Sequence, residues 1–493
     1  MKAAIIGGGV IGGGWAARFA LSGWEVALYD PDPEAARKVA AVMAGARASL
    51  PLLCDVALPA EGRVTLAASV AEAVRGADYI QESVSERLDL KHRVFAQIQS
   101  VAPDAPLGSS TSGFKPSDLQ AGAINPGAIF VAHPFNPVYL LPLAEVVPSP
   151  ANPPAFMARV QDILRDIGMH PLLVRKEIDA HIGDRLLEAL WREALWLVKD
   201  GVATTAEIDD VIRMSFGLRW AQMGLFETYR IAGGEAGMKH FMEQFGPALA
   251  WPWTKLMDVP EFTEELVDLI ASQSDAQSGA RGIRELEGIR DGNLVAFLRA
   301  LKDRDWGAGA VLNAHDARRG AAAAAAAGAP PAAGPVVEAM TVLPSWIDHN
   351  GHMTEGRYLL AGSLVSDALL GRIGAGAAYV AGGRSYYTAE THIRHLGEAK
   401  AGDRLTGTAR VLAHDDKRLH LWISVMREDQ GTQERREIAT IEQMLLHVDM
   451  AAGRACPAPA DIQAGIAALA APDAGAPWPD GAGRHVGQRK AAP

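Results

Sequence analysis

The chain has 493 residues, 49% of them hydrophobic and 21% charged, with a formal net charge of −11. That length allows roughly two to four globular domains, and the acidic balance argues against a nucleic-acid partner, which would want a basic surface. No apolar run reaches the roughly 18 residues of a membrane span, and a strand begins so soon after Met1 that a signal peptide has no room. The two cysteines, Cys54 and Cys456, stand far apart, which excludes a disulfide framework and a zinc site and points to a reducing, cytoplasmic setting. No metal site is expected.

Lys2 to Ile6 is an apolar stretch that reads as a buried strand. It runs into Gly7-Gly8-Gly9-Val10-Ile11-Gly12, a G-x-G-x-x-G pattern, with helical periodicity from Val10 to Leu21. A second strand, Glu25 to Tyr29, ends on Asp30, 18 residues after Gly12. The glycines allow a tight turn, close approach of the backbone to a pyrophosphate and close helix–strand packing. The helix start then presents its N–H groups to phosphate. An acid at Asp30 accepts ribose hydroxyls and repels a 2′-phosphate, so NAD is favoured over NADP. Gly7, Gly9, Val10, Ile11, Gly12 and Asp30 are therefore the candidate cofactor residues.

Further along, Ala77 to Ile80 is a strand followed by Gln81-Glu82-Ser83-Val84-Ser85-Glu86 and a helix through Lys91. Ala105 to Gly108 is another strand, and the polar loop Ser109-Ser110-Thr111-Ser112 follows it. Ligands in open α/β sheets bind beyond the carboxyl ends of the strands, which places Ser112 to donate to a substrate oxygen or else to cap a turn. Ala128 to Ala132 is a short strand ending at His133. His133-Pro-Phe-Asn-Pro leads through a stiff turn to a strand, Leu143 to Val147, that carries Glu145. A carboxylate in such a run needs a partner, because an unpaired buried charge is costly. His133 is that partner, either as a structural pair or as a general base whose tautomer Glu145 fixes.

These blocks together, from the glycine loop to Glu145, resemble the 3-hydroxyacyl-CoA dehydrogenase superfamily. The resemblance implies that His133 is the general base on a secondary hydroxyl, that Glu145 holds it, and that Ser112 binds the substrate oxygen. It also implies Glu82 and Lys91 at the cofactor. Within the superfamily the wording is similar to the L-carnitine 3-dehydrogenases over roughly residues 1–315, including Asp184-Arg-Leu-Leu-Glu-Ala-Leu-Trp-Arg-Glu-Ala. The acyl-CoA enzymes usually carry Asn where this chain has Asp184. An anion there suits the trimethylammonium cation of L-carnitine. Ala180-His181-Ile182 replaces the usual Gly-Phe-Ile at the helix entry, with the acid–base set expected elsewhere.

A helix over about Ile182 to Lys199 puts Asp184, Glu188 and Trp191 on one face. Trp220, Phe226, Tyr229, Phe241, Phe245, Trp251 and Trp253 form an aromatic-rich stretch. Aromatic faces attract quaternary ammonium groups, so Trp191, Trp220, Phe226 and Tyr229 are candidate substrate contacts, with core or interface packing as the alternative. Arg192 or Arg219 could fork the substrate carboxylate, or could belong to surface ion pairs.

Residues 316–335, with seven consecutive alanines at 321–327 and then Pro and Gly, read as a semi-rigid linker. From Val336 the period becomes that of strands: Val336 to Leu343, Arg384 to His395, Asp403 to His414, Arg418 to Arg427 and Arg436 to His447. One helix, about Glu355 to Ile373, interrupts them. Trp346-Ile-Asp-His-Asn-Gly-His-Met353 before that helix, and Thr391-His-Ile-Arg394 later, make 336–449 resemble hotdog-fold acyl-CoA thioesterases of the 4-hydroxybenzoyl-CoA type. The resemblance implies that Asp348 attacks an acyl-CoA thioester or activates water, while N–H groups near Glu355-Gly356 polarise the carbonyl.

The expected architecture is α/β: a Rossmann NAD-binding domain over 1–178, an all-α dehydrogenase domain over 179–315, the 316–335 linker, an α+β hotdog domain over 336–450, and a flexible tail over 451–493. The leading reading is a bifunctional enzyme of carnitine breakdown, a homodimer, oxidising L-carnitine with NAD and hydrolysing an acyl-CoA, betainyl-CoA by inference from the pairing. The alternative is a short-chain 3-hydroxyacyl-CoA or 3-hydroxyacid dehydrogenase with a non-catalytic hotdog dimerisation module. A third class is an NAD- or CoA-linked sensor, which the intact His133, Glu145 and Ser112 disfavour.

Overall fold

The computed structural model describes residues 1–232, 241–244, 253–255, 261, 263–266, 268–269, 272–273, 281, 283–327, 336–348, 350–428 and 435–484. The chain divides into two compact units, Met1–Ala321 and Ala322–Pro493.

In the first unit the strands are β1 (Lys2–Ile6), β2 (Glu25–Tyr29), β3 (Val64–Leu66), β4 (Tyr79–Glu82), β5 (Leu107–Ser109), β6 (Ile129–Pro134), β7 (Leu143–Val147) and β8 (His170–Leu173). They form one sheet in the order β3-β2-β1-β4-β5-β6-β7-β8. Pairing is parallel from β3 through β6, and the strand order reverses outward from β1, where the crevice of a doubly wound sheet opens. The helices α1 (Val10–Leu21), α2 (Ala35–Ser49), α3 (Val70–Val74), α4 (Leu88–Gln99), α5 (Pro116–Leu119) and α6 (Pro154–Asp166) follow these strands. Burial on both sheet faces explains why β1 (from Ala3) and β6 (to Ala132) are apolar without alternation. One layer centres on Trp15, Phe19, Tyr79 and Phe130, the other on Ile80, Phe95, Ile98 and Val131.

β6 and β7 depart from the parallel rule. They pair antiparallel, with His133 directly opposite Glu145. The turn between them carries Pro137 after a cis Asn136–Pro137 bond. Beyond β8 the chain becomes helical: α7 (Gly183–Lys199), α8 (Thr205–Val211) and α9 (Gly217–Ala232), then helices Ile283–Asp303 and Ala308–Ala327.

The second unit curls an antiparallel sheet around one long helix, Glu355–Arg372. Its strands are β9 (Val336–Thr341), β10 (Arg384–His395), β11 (Arg404–His414), β12 (Arg418–Glu428), β13 (Arg435–Asp449) and the short β14 (Arg454–Ala455). The order is β10-β13-β12-β11-β9, with β14 on β13. The helix lies against the sheet: a Cβ on Gly362 would come 2.5 Å from Ile441 Cδ1, and one on Gly407 would come 2.2 Å from Val365 Cγ2.

Two expectations need correction. The expected linker is helical up to Ala327, because alanine has the highest intrinsic helix propensity. Asp316 within it is buried and takes the Asp55 N–H at 2.8 Å as well as the Lys302 ammonium. Residues 328–335 lie outside the described residues. The expected flexible tail is ordered over 451–484. Its helix Ala460–Ala470 buries Ile462 and Ile466, four apart on one face, against Leu369, Leu370 and Ile373. Further on, the Gly483 N–H bonds Glu442. Residues 485–493 lie outside the described residues.

Candidate functional site

The glycine loop behaves as its spacing demands. Gly7 has a φ of +105°, and a Cβ there would come 2.5 Å from the Ser83 carbonyl oxygen. A Cβ on Gly12 would sit 1.8 Å from the Gly7 carbonyl oxygen. Gly9, by contrast, faces open space with nothing within 4 Å of its Cβ position. It caps α1 without a side-chain bond, so the first N–H groups of that helix have no side-chain competitor for an incoming anion. Val10 is exposed, Ile11 half-buried. Asp30 accepts the Gly8 N–H at 2.5 Å and the Asp32 N–H at 2.8 Å, so it braces the loop from the ribose side. These residues fit a dinucleotide: an uncapped helix start, an open glycine and a carboxylate at the end of β2.

Glu82 and Lys91, the residues expected at the cofactor, are buried against each other, with Lys91 Nζ 2.9 and 3.1 Å from the two Glu82 oxygens. Burial pushes the Glu82 carboxyl up, against the pull of Lys91 and Ser109. Lys91 also lies 3.3 Å from Glu86. Glu86 in turn accepts the Thr111 hydroxyl and the backbone N–H groups of Ser112 and Gly113, both at 3.1 Å. This chain of contacts fixes the loop that presents Ser112, which is exposed.

His133 and Glu145 are both buried, and His133 Nδ1 lies 3.0 Å from Glu145 Oε2. A carboxylate only accepts, so Nδ1 carries the hydrogen and Nε2 keeps its lone pair. The other Glu145 oxygen accepts the Ile182 and Gly183 N–H groups, each at 3.0 Å, at the positive end of α7. Burial works to raise the Glu145 carboxyl, but the His133 bond and these N–H groups outweigh it and hold it below its ordinary value. Asp184, in the first turn of α7, sits 3.8 Å from His133 Nε2.

The sequence reading missed three contributors. His181 is fully buried, its ring 5.6 Å from that of His133, and its Nε2 bonds the Thr111 carbonyl at 3.2 Å. Burial pushes its imidazole below the usual histidine value. The departure at Ala180-His181-Ile182 was its only signal. Gly183 is the second: a Cβ there would meet Phe135 Cζ at 2.4 Å and Glu145 Oε2 at 3.2 Å. Glu86 is the third, three residues beyond Ser83 in a stretch whose register gives no hint of the Thr111 contact.

Two of the four aromatic candidates, Trp220 and Tyr229, have ring partners nearby. Trp220 lies against Phe216 at 4.6 Å between centroids, and Tyr229 stacks on Phe241 at 4.8 Å. Trp191 and Phe226 are exposed. Trp191 and Arg192 stand about two turns along α7 from Asp184, and Arg192 lies 4.0 Å from Glu188. Arg219 and Trp253 are exposed, while Phe245 and Trp251 lie outside the described residues.

In the second unit Asp348 begins a tight turn closed by an Ile347–Met353 bridge. Its N–H bonds the His352 carbonyl at 2.9 Å, its carbonyl takes the Gly351 N–H at 3.0 Å, and its Oδ1 takes the Asn350 N–H at 2.8 Å. His349 lies outside the described residues. Thr354 then opens the helix Glu355–Arg372 without a side-chain cap, so Asp348 precedes a helix start with uncapped N–H groups. Among the described residues no cluster of His, Cys, Asp and Glu could hold a metal ion.

Residues 2–178 match the family described as 3-hydroxyacyl-CoA dehydrogenase, NAD binding domain, and 181–265 match its C-terminal domain. Residues 342–466 match the thioesterase-like superfamily. A protein of Ruegeria pomeroyi named L-carnitine dehydrogenase/betainyl-CoA thioesterase is 59% identical over 98% of this chain and 99% of its own length. One of the same name from Agrobacterium fabrum is 57% identical over 99% and 98%. An L-carnitine dehydrogenase of Mesorhizobium japonicum is 60% identical over 63% of this chain and 87% of its own. Among solved structures, 5-formyl-3-hydroxy-2-methylpyridine 4-carboxylic acid 5-dehydrogenase, an NAD+-dependent dismutase, is 28% identical with a TM-score of 0.52, covering 61% of this chain and 98% of that one. The chain belongs to the family of two-part proteins named L-carnitine dehydrogenase/betainyl-CoA thioesterase, in which a 3-hydroxyacyl-CoA dehydrogenase part precedes a thioesterase-like part.

Proposed function

We propose that the first unit oxidises L-carnitine to 3-dehydrocarnitine with NAD and that the second hydrolyses an acyl-CoA thioester, betainyl-CoA. The observation that carries the first half is the His133–Glu145 pair, with a base nitrogen left open beside Asp184.

The substrate's secondary hydroxyl donates to His133 Nε2, which takes its proton. Glu145 keeps the Nδ1–H in place and offsets the positive charge that the imidazole acquires. NAD, when bound, supplies the acceptor for the hydride that leaves C3. Ser112 donates to the same substrate oxygen from the loop held by Glu86. L-Carnitine is short: its cationic nitrogen is two bonds from the hydroxyl-bearing carbon. A carboxylate 3.8 Å from Nε2 therefore faces both the imidazolium that forms and the trimethylammonium group, and a single Asp184 attracts each. Trp191, Trp220, Phe226 and Tyr229 remain candidates for the outer face of the cation, and Arg192 for the carboxylate. Gly7, Gly9, Val10, Ile11, Gly12 and Asp30 hold the cofactor, with Glu82 and Lys91 bracing the floor.

In the second unit Asp348 attacks the thioester carbonyl or activates water on it. The carbon–sulfur bond breaks, CoA leaves as its thiol with a proton that comes from water, and the acyl group ends as a carboxylate, either directly or after water opens the anhydride formed on Asp348. N–H groups at Glu355 and Gly356 face the carbonyl oxygen as it gains charge. In this reading the cofactor-binding part spans 1–178, the helical part runs from 179 to the end of the first unit at 321, and the hotdog part spans 336–484.

The protein is a homodimer in this reading. Leu186, Leu187, Leu190 and Trp191 stand exposed along one side of α7, an apolar stripe of the kind that marks a subunit contact. No helix among the described residues is long and apolar enough to cross a membrane. The cytoplasm is the setting that supplies NAD and acyl-CoA and keeps Cys54 and Cys456 reduced. The net charge of −11 is unsuited to nucleic acid.

The test is a pair of assays on one preparation. NADH absorbance should rise with L-carnitine and not with 3-hydroxybutyryl-CoA, and thiol should be released from betainyl-CoA. Asp348→Asn should abolish thiol release and leave NADH formation unchanged. Absence of carnitine-dependent NADH would remove the first half of the proposal; thiol release that survives in Asp348→Asn would remove that residue's role.

A further inference from the structure

Ala180 and His181 both adopt left-handed backbone, with φ of 60° and 49°. Neither is a glycine, so the turn is strained. It is also where four hydrogen bonds converge. The Ala180 N–H bonds the Gly113 carbonyl at 3.0 Å, and His181 Nε2 bonds the Thr111 carbonyl at 3.2 Å. The next two N–H groups, of Ile182 and Gly183, go to Glu145. The strained pair therefore ties the loop on either side of Ser112 to the carboxylate that holds His133.

The His181 side chain adds a second irregularity. A carbonyl oxygen only accepts, so Nε2 carries the hydrogen and Nδ1 is left as a lone pair. That Nδ1 is buried with no hydrogen-bond partner. Burying an acceptor unpaired is unfavourable, and a plain aromatic ring of similar size would fill the space without that cost. What such a ring could not supply is the bond to the Thr111 carbonyl.

We propose that His181 is a positioning residue of the dehydrogenase site, whose Nε2–H clamps the Thr111 carbonyl and so sets where Ser112 stands relative to His133. The inference rests on the proposed oxidation of a secondary alcohol by His133. It adds the device that fixes the distance between the proton acceptor, on β6, and the hydroxyl donor, on the loop after β5.

The test uses the full-length protein with His181→Phe and His181→Gln, the second keeping an N–H donor. Two readouts are taken: kcat and KM for L-carnitine, and amide hydrogen exchange across residues 109–113. In His181→Phe, kcat/KM should fall roughly 10- to 100-fold, the scale of a reacting group misplaced by about 1 Å. NAD affinity should be unchanged, Tm unchanged or higher, and exchange at 109–113 faster. His181→Gln should recover part of the rate and of the protection. The proposal is overturned if His181→Phe keeps wild-type exchange in the loop, or if Gln and Phe are equally impaired with equally lowered Tm, which would make the residue purely structural. If the wild type fails to oxidise L-carnitine, the functional reading fails, and the exchange measurement still decides the clamp.

Discussion

Asp184 Oδ2 lies 3.8 Å from Nε2 of His133, on the nitrogen that Glu145 leaves open. One anion thus addresses the proton acceptor from the side opposite its partner carboxylate. Its side chain is about one-quarter exposed, at 23%, so its field reaches the site partly screened.

Asp184→Asn should raise KM for L-carnitine by about tenfold, corresponding to ~1.4 kcal/mol of lost attraction to the cation. The effect on kcat should be smaller. An uncharged analogue lacking the trimethylammonium group should show little change in KM. Steady-state kinetics on both substrates checks this. An equal loss for both would place Asp184 on the imidazolium alone.

Gly183→Ala should lower kcat more than it lowers NAD binding. The new Cβ would meet Phe135 Cζ at 2.4 Å and Glu145 Oε2 at 3.2 Å. The aromatic ring must move, and the N-terminus of α7 moves with it off Glu145. Overpacking of this kind costs about 1–3 kcal/mol, so thermal unfolding of the first unit should shift down by a few degrees, while titration with NAD should stay near wild type.

His315, in the helix Ala308–Ala327, is held to about 4 by burial first and by Arg319 and Arg18 second. Above pH 6.5 the folded and unfolded forms are both neutral there. Between about pH 6.5 and 4 the unfolded chain binds a proton that the folded chain refuses, so stability falls as pH falls through that window and levels off below it. The loss is on the order of 3 kcal/mol across that window. Denaturant unfolding at pH 7 and pH 4.5 should show it, and His315→Asn should reduce the difference. An unchanged pH dependence in the variant would assign the loss to other groups.

How much of this was legible in the sequence depended on how local each feature is. The glycine loop and Asp30 follow from a single β–α–β unit, and the structure has that unit. His133 and Glu145 were readable because a short turn joins two adjacent strands, so a cross-strand pair at 133 and 145 was within reach of spacing alone. His181 was not readable. Its partner Thr111 is 70 residues away, and nothing local announces that a helix entry will lie on the polar loop. Composition misled at both ends of the second unit. The seven alanines at 321–327 look like a linker by composition although they favour helix. The Ala-rich stretch after 451 hid Ile462 and Ile466, whose four-residue spacing marks a buried face. The aromatic stretch is open for a different reason: cation–π chemistry names residue types, and only tertiary placement separates a ligand face from a packing contact such as Trp220 against Phe216.

The central claim is that His133 accepts the hydroxyl proton while C3 of L-carnitine loses hydride to NAD. L-Carnitine deuterated at C3 tests it in a single turnover, with the nicotinamide product read by mass. Singly deuterated NADH is expected from the wild type, and formation at least about a thousandfold slower in His133→Asn, in keeping with loss of a general base. Unlabelled NADH, no NADH at all, or a wild-type rate in His133→Asn would contradict it.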